Sequence, residues 1–414
     1  MDPDEPVYAE TAREMLAFND FISPRIYGEY WYDKPPMYYW LVALSFKLFG
    51  ISEFTTRLPS AILGILCLVK VYRSGSRLFN ERVGITAALV LTTSLEFFYL
   101  AKAGVTDITL TLFLTLALLA FIEQKYYQFY LFAGLATLTK GPVGLIFPVG
   151  IGFFYLLLSG QLRELKHLKP GSGLLLYALI AIPWYWIMND LHGAVFFDTV
   201  LGFHNLIRFT TPEHPESVFW YYYIPVLIVG FFPWTALTPQ AIRQSLGSGG
   251  REQRVLLFLN IWAGFIFLFF SISQTKLVSY ILPVFPPLAL IVGWYIVRLE
   301  NTGGGKAIRY WPLAVGLLSL LFIMAMAYAL EFMPALLTGL IILAGILLLM
   351  VIFVGWLLKH RLIRQAFFTQ VVATAIIALI IFVNLIPRVT DNFSSRAIVN
   401  EFFNPLTLCG YTYN

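Results

Sequence analysis

The chain of 414 residues is a succession of apolar runs, many near the length of a bilayer-crossing helix, separated by short polar links. A helix needs about 20 apolar residues to cross a bilayer, and only helices and closed barrels satisfy their backbone groups there, so these runs read as transmembrane helices. They begin near Leu58, Val83, Thr106, Phe129, Val143, Leu174, Phe219, Val255, Leu277, Trp311, Pro334 and Phe368, which predicts about twelve spans. Only 12% of residues are charged and 59% are hydrophobic, whereas a soluble domain carries about 25% charge. The expected fold class is all-α, a polytopic transmembrane helical bundle.

Each crossing changes the side of the membrane, so the loops sort by parity. Arg73, Arg77 and Arg82, then Lys125, then Arg163, Lys166 and Lys169, then Arg243, Arg251 and Arg254, then Arg298, Lys306 and Arg309, then Lys359, Arg361 and Arg364 all fall on one side. The positive-inside rule assigns that side to the cytoplasm. The net charge of +5 is therefore a topology signal and gives no reason to expect nucleic acid as a partner. SLGSGG and NTGGGK read as flexible cytoplasmic links, and two cysteines give neither a disulfide framework nor a thiolate metal site.

The alternate loops hold the chemistry-bearing residues. Residues 1–56 form a charged, tyrosine-rich first outer loop, with interfacial helices expected at residues 6–18 and 37–49. Residues 57–388 are the transmembrane domain, and 389–414 the start of an outer C-terminal region, read as truncated. Free nucleotide donors are not available on the outer face, so no nucleotide cofactor is expected. Lys140-Gly141-Pro142 lacks the glycine-rich run of a phosphate loop.

Several constellations stand out, each with a plain structural alternative. Asp4 and Glu5, before Tyr8, can take a proton from an attacking hydroxyl or amine, or can simply cap a helix. Asp33-Lys34-Pro35-Pro36 is a rigid turn that can aim Lys34 at a phosphate and Asp33 at a metal or sugar; an aromatic belt with a snorkelling lysine is the alternative. Asp107 opens an apolar span, as a functional acid or a solvated end. His204 and Arg208 share helical spacing suited to a metal and a phosphate, or form an interfacial pair, and Lys276 and Tyr280 stand at i, i+4 where a span leaves the outer face.

Together DPDEPVYAETAREML, YDKPPMYYW, TRLPSA, TDITLTLF, TLTKGPVG, IPWYW, FHNLIRF, FFPWTALTP and KLVSYILPVFPPLAL resemble, in order, the GT-C glycosyltransferases that use polyprenyl-phosphate sugars. The nearest branch contains lipid A aminoarabinose transferase and protein mannosyltransferase-like proteins. The resemblance implies catalytic carboxylates at Asp4, Glu5 and Asp107, and donor-phosphate contacts from Lys34, Arg208, Tyr8, Tyr280 and Lys276. It also implies a divalent metal at Asp33 and His204 as the one cofactor to consider. The implied partners are a polyprenyl-phosphate sugar and a lipid, glycan or protein acceptor, on the outer face of a bacterial inner membrane. Val7 stands where aminoarabinose transferases commonly carry arginine, and Asp33 where they carry glutamate. Family members have a span before the acidic pair and usually an outer C-terminal domain, so a mis-set start or a fragment of a longer protein is expected. The alternative function is a lipid-linked sugar transporter that breaks no bond; it predicts polar groups at midplane or on both faces, whereas these gather on one.

Overall fold

The computed structural model describes residues 4–200, 211, 219–247 and 249–386. The helices are α1 (Glu5–Ala17), α2 (Met37–Phe49), α3 (Glu53–Leu78), α4 (Glu81–Thr92), α5 (Leu95–Leu100), α6 (Asp107–Ile122), α7 (Tyr126–Lys140), α8 (Val143–Leu158) and α9 (Pro170–His192). There follow α10 (Ala194–Phe197), α11 (Tyr223–Gly230), α12 (Thr238–Leu246), α13 (Arg251–Ile272), α14 (Phe285–Thr302), α15 (Ala307–Ala329), α16 (Leu337–Lys359) and α17 (Ile363–Ile380). One two-stranded hairpin, β1 (Arg25–Ile26) with β2 (Glu29–Tyr30), is the sheet among the described residues.

The polytopic helical fold is as expected. Among the described residues, seven helices of 21 to 26 residues are long and apolar enough to cross a membrane by length and composition, and Asp107–Ile122 and Val143–Leu158 are shorter apolar helices. The other five expected runs lie on shorter helices. Thr93 and Ser94, just past the helix begun at Glu81, turn their hydroxyls back onto the carbonyls of Leu89 and Val90. Gly141, at φ 74°, closes α7. The Thr93 break is then used, since its hydroxyl accepts from Trp234 Nε1 at 2.9 Å. By contrast α14 is buried on every side, from Phe285 to Val297 without interruption, the pattern of a helix inside a bundle.

The described residues pack as two compact units dividing at Asn301–Thr302, within the NTGGGK link, whose three glycines have φ of 72°, 85° and 49°. In the second unit α15, α16 and α17 pack in series, and Trp311 Nε1 donates to the buried Gln370 Oε1 at 2.9 Å.

In the first unit, α1 and α2 occupy the positions expected for the interfacial helices. Pro6 sits in the first turn of α1, where its missing N–H costs nothing. Tyr8, Thr11, Ala12 and Met15 make the buried face, which packs on α2. Tyr27 and Gly28, at φ 54° and 83°, form the hairpin turn, and the Glu14 carboxylate accepts from Gly28 N at 3.0 and 3.1 Å. Trp40 Nε1 donates to Phe21 O and Trp184 Nε1 to Ile22 O, so the loop after α1 is fastened to α2 and α9.

At the basic end of α3 and α6, Glu123 accepts from Lys70 at 3.0 Å, Ser74 at 2.5 Å and Lys125 at 2.5 Å, with Arg77 at 3.7 Å. Burial pushes this carboxyl up, but the three donors outweigh it and hold it at about 2. A depressed carboxylate stabilises the fold fully above its ordinary value of 4.5 and loses that contribution as pH falls towards about 2. Glu123→Gln is expected to cost about 1–2 kcal/mol, a value discounted for solvent screening. Melting temperatures of the two proteins in matched detergent should converge as pH falls through that window; an unchanged difference would remove the ionic contribution.

Candidate active site

The candidate site gathers at the start of α1, the turn before α2, the start of α6 and the end of α7. Asp4 precedes α1 in helical backbone geometry and makes no capping hydrogen bond through its side chain. It is open to solvent on one side, yet packed protein on the other raises its carboxyl. Lys34 lowers it, Asp107 and Asp33 raise it further, and Lys140 lowers it. Asp4 is thus within electrostatic reach of two acid–lysine pairs. Lys34 Nζ donates to Asp33 Oδ1 at 2.8 Å, and Lys140 Nζ donates to Asp107 Oδ1 at 2.5 Å. Lys140 also lies 4.2 Å from the centre of the Tyr280 ring, a cation–π contact that favours the charged ammonium.

Tyrosines form one wall. Tyr8 is buried, with its ring 5.6 Å from Tyr38, edge to face, and 5.8 Å from Tyr39. Burial pushes its phenol well above the ordinary value, so it stays protonated and serves as a hydroxyl. Tyr38 is anchored by Ser60 at 2.9 Å. Tyr39 is fully buried and its hydroxyl has no partner among the described residues, a costly arrangement; Asp33 and Asp4 are the charges that act on it.

Glu5 behaves differently from its neighbour. Its Oε1 accepts from Arg57 Nε at 3.0 Å and Gly104 N at 2.6 Å, and its Oε2 from Arg57 Nη2 at 2.8 Å. Both oxygens are engaged, and the residue is 5% exposed. Glu5, expected with Asp4 as a catalytic carboxylate, ties the first turn of α1 to α3 and to the loop before α6.

The remaining expected residues divide. Asp33, Lys34, Asp107, Tyr8 and Tyr280 enter the cluster. Lys276 is buried and its ammonium donates to Ser273 O. His204 and Arg208 lie outside the described residues. No group of three or more His, Cys, Asp or Glu that could hold a metal occurs among the described residues; Asp33 is paired with Lys34, and the other expected ligand, His204, lies outside those residues. Lys140, Tyr39 and Arg57 were not anticipated. Lys140 had a signal, since an intramembrane acid such as Asp107 calls for a cation on the same side.

Comparison with known proteins decides the family. A profile described as dolichyl-phosphate-mannose-protein mannosyltransferase matches residues 33–187. The chain is 32% identical over 320 residues to the undecaprenyl phosphate-alpha-4-amino-4-deoxy-L-arabinose arabinosyl transferase of Edwardsiella ictaluri, covering 74% of this chain and 57% of that protein. It is 32% identical over 381 residues to the protein of the same name from Pectobacterium atrosepticum, covering 86% of this chain and 66% of that one. The crystal structure of ArnT from Cupriavidus metallidurans bound to undecaprenyl phosphate superposes with a TM-score of 0.84 at 24% identity, over 98% of this chain and 76% of that one. The chain belongs to the GT-C polyprenyl-phosphate-sugar glycosyltransferase family. It spans less than two thirds of the length of these two curated GT-C relatives. Within the GT-C fold the acidic pair, the Asp33-Lys34 turn and Asp107 lie at or just before the starts of α1, α2 and α6, which brings short motifs far apart in sequence to one place.

Proposed function

We propose that the chain is an inverting glycosyltransferase that moves a pentosyl or hexosyl group from a polyprenyl-phosphate donor to an envelope acceptor on the outer face of the membrane. The acceptor would be a lipid A-like glycolipid, another glycan or a protein. The observation that carries this reading is the placement of Asp4 within reach of two acid–lysine pairs beside a tyrosine wall.

The acceptor hydroxyl or amine attacks the anomeric carbon, and its proton passes to the Asp4 carboxylate. The bond from the anomeric carbon to the phosphate oxygen breaks, and its electron pair leaves with the polyprenyl phosphate. Attack opposite the leaving group inverts the anomeric centre. A phosphate leaving group needs little protonation but gains from fixed cations. An ammonium carries three donors, so a phosphate can share Lys34 with Asp33. Lys140 supplies a second positive charge near Asp107, and the buried Tyr8 and Tyr39 rings back the site. The names of the curated relatives support a donor of the undecaprenyl-phosphate amino-sugar class.

The test is transfer from defined undecaprenyl-phosphate sugars to lipid A by the purified full chain in liposomes, read by mass spectrometry of the product. A new glycosidic bond with inverted configuration is expected; movement of intact donor across the bilayer without product would replace the enzyme reading by a transporter. Lys34→Ala is expected to weaken donor binding about 10- to 100-fold, the worth of one charge-assisted hydrogen bond. Unchanged affinity would take the phosphate role away from Lys34.

A further inference from the structure

Between α16 and α17 lies an open groove of about 790 Å³, lined by Leu349, Met350, Phe353, Phe368, Val372 and Ile376 among others, with Arg364 and Gln365 at one end. Leu349, Phe353, Phe368, Val372 and Ile376 are exposed. From Arg364 to Ile376 the α-helical rise gives a length of about 18 Å. One leaflet of the hydrocarbon core is about 15 Å thick, so the groove is as long as one leaflet. Its polar end is strongly basic: Lys359, Arg361 and Arg364 are all exposed at the α16–α17 turn, and no acidic residue stands in the sequence between Glu331 and Asp391. The Arg364 guanidinium lies 5.8 Å from the centre of the Phe368 ring, at the point where charge gives way to apolar wall. The positive-inside rule assigns this end to the cytoplasm.

We propose that the groove is a binding site for one anionic glycerophospholipid of the cytoplasmic leaflet, with an acyl chain laid along α17 and the headgroup phosphate at Arg364, Arg361 and Lys359. The length selects a lipid whose head is at the basic end and whose tail stops near midplane. The excess of positive charge selects an anionic head over a zwitterionic one.

Native mass spectrometry of the purified full chain, given phosphatidylglycerol and phosphatidylcholine with matched acyl chains, tests this. Wild type is expected to retain one phosphatidylglycerol in preference to phosphatidylcholine. Arg364→Gln should lower phosphatidylglycerol retention about fivefold, the weight of one basic residue at an anionic surface, and leave phosphatidylcholine unchanged. Val372→Trp, which fills the groove without touching its charge, should lower retention of both. Arg163→Gln, in a different basic loop, should change neither and controls for charge alone. Equal retention of the two lipids, an unaffected Arg364→Gln protein, the same loss in Arg163→Gln, or stronger retention of undecaprenyl phosphate than of phosphatidylglycerol would overturn the proposal.

Discussion

Asp4→Asn is expected to lower kcat about a thousandfold, within the range lost when a positioned proton acceptor is removed, while donor affinity stays close to wild type. The two readouts separate because Asp4 is assigned to the acceptor and Lys34 to the donor phosphate. The pH profile carries a second signature. Partial burial, Asp107 and Asp33 raise the Asp4 carboxyl above its ordinary 3.8, against the pull of Lys34 and Lys140. The ionised form is the one that accepts the proton, so kcat/KM should fall on the acid side at a pH above that ordinary value. Lys34 lowers the Asp4 value, so Lys34→Ala should move this acid limb to higher pH as well as weaken donor binding. Wild-type turnover in Asp4→Asn, or an acid limb that Lys34→Ala shifts downward, would reject Asp4 as the proton acceptor.

Much of this arrangement was legible in the chain because a bilayer leaves few options. Apolar runs had to be helices, and positive loops had to share a side, which placed Asp4, Lys34 and Asp107 together before any geometry was known. The limits are equally physical. Length counting reads the run beginning near Val83 as one helix, whereas the chain divides there into α4 and α5, with the Thr93 and Ser94 hydroxyls competing for the carbonyls of Leu89 and Val90. Hydropathy cannot register that competition. Nor does local sequence distinguish Asp4 from Glu5. Their roles separate only through Arg57, 52 positions away from Glu5, and through the Gly104 N–H, partners that packing alone supplies. Lys140 illustrates the same limit, since as Lys-Gly-Pro it resembled a fragment of a phosphate loop, and its meaning came from Asp107 across the α6–α7 contact.

Arg57→Ala is expected to destabilise the chain by about 3 kcal/mol, because it leaves a buried carboxylate with most of its compensation gone. The side chain of Glu5 is 7% exposed and that of Arg57 33%, so the carboxylate is the member that bears the loss. Glu5 is the first residue of α1 and Asp4 immediately precedes it, so slack in this anchor is transmitted to the carboxyl proposed as proton acceptor, where a displacement of about 1 Å can cost a hundredfold in rate. Glu5→Gln separates holding from chemistry. Its amide oxygen still accepts from Gly104 N or Arg57, so a holding role predicts modest losses in melting temperature and kcat, far smaller than those of Asp4→Asn. Glu5→Ala removes every acceptor but leaves only the one-third-exposed Arg57 and the Gly104 N–H without the carboxylate, and should cost less stability than Arg57→Ala. Were Glu5 itself the proton acceptor, Glu5→Gln would be as inactive as Asp4→Asn at nearly wild-type stability, and the division of labour between the two acids would be reversed.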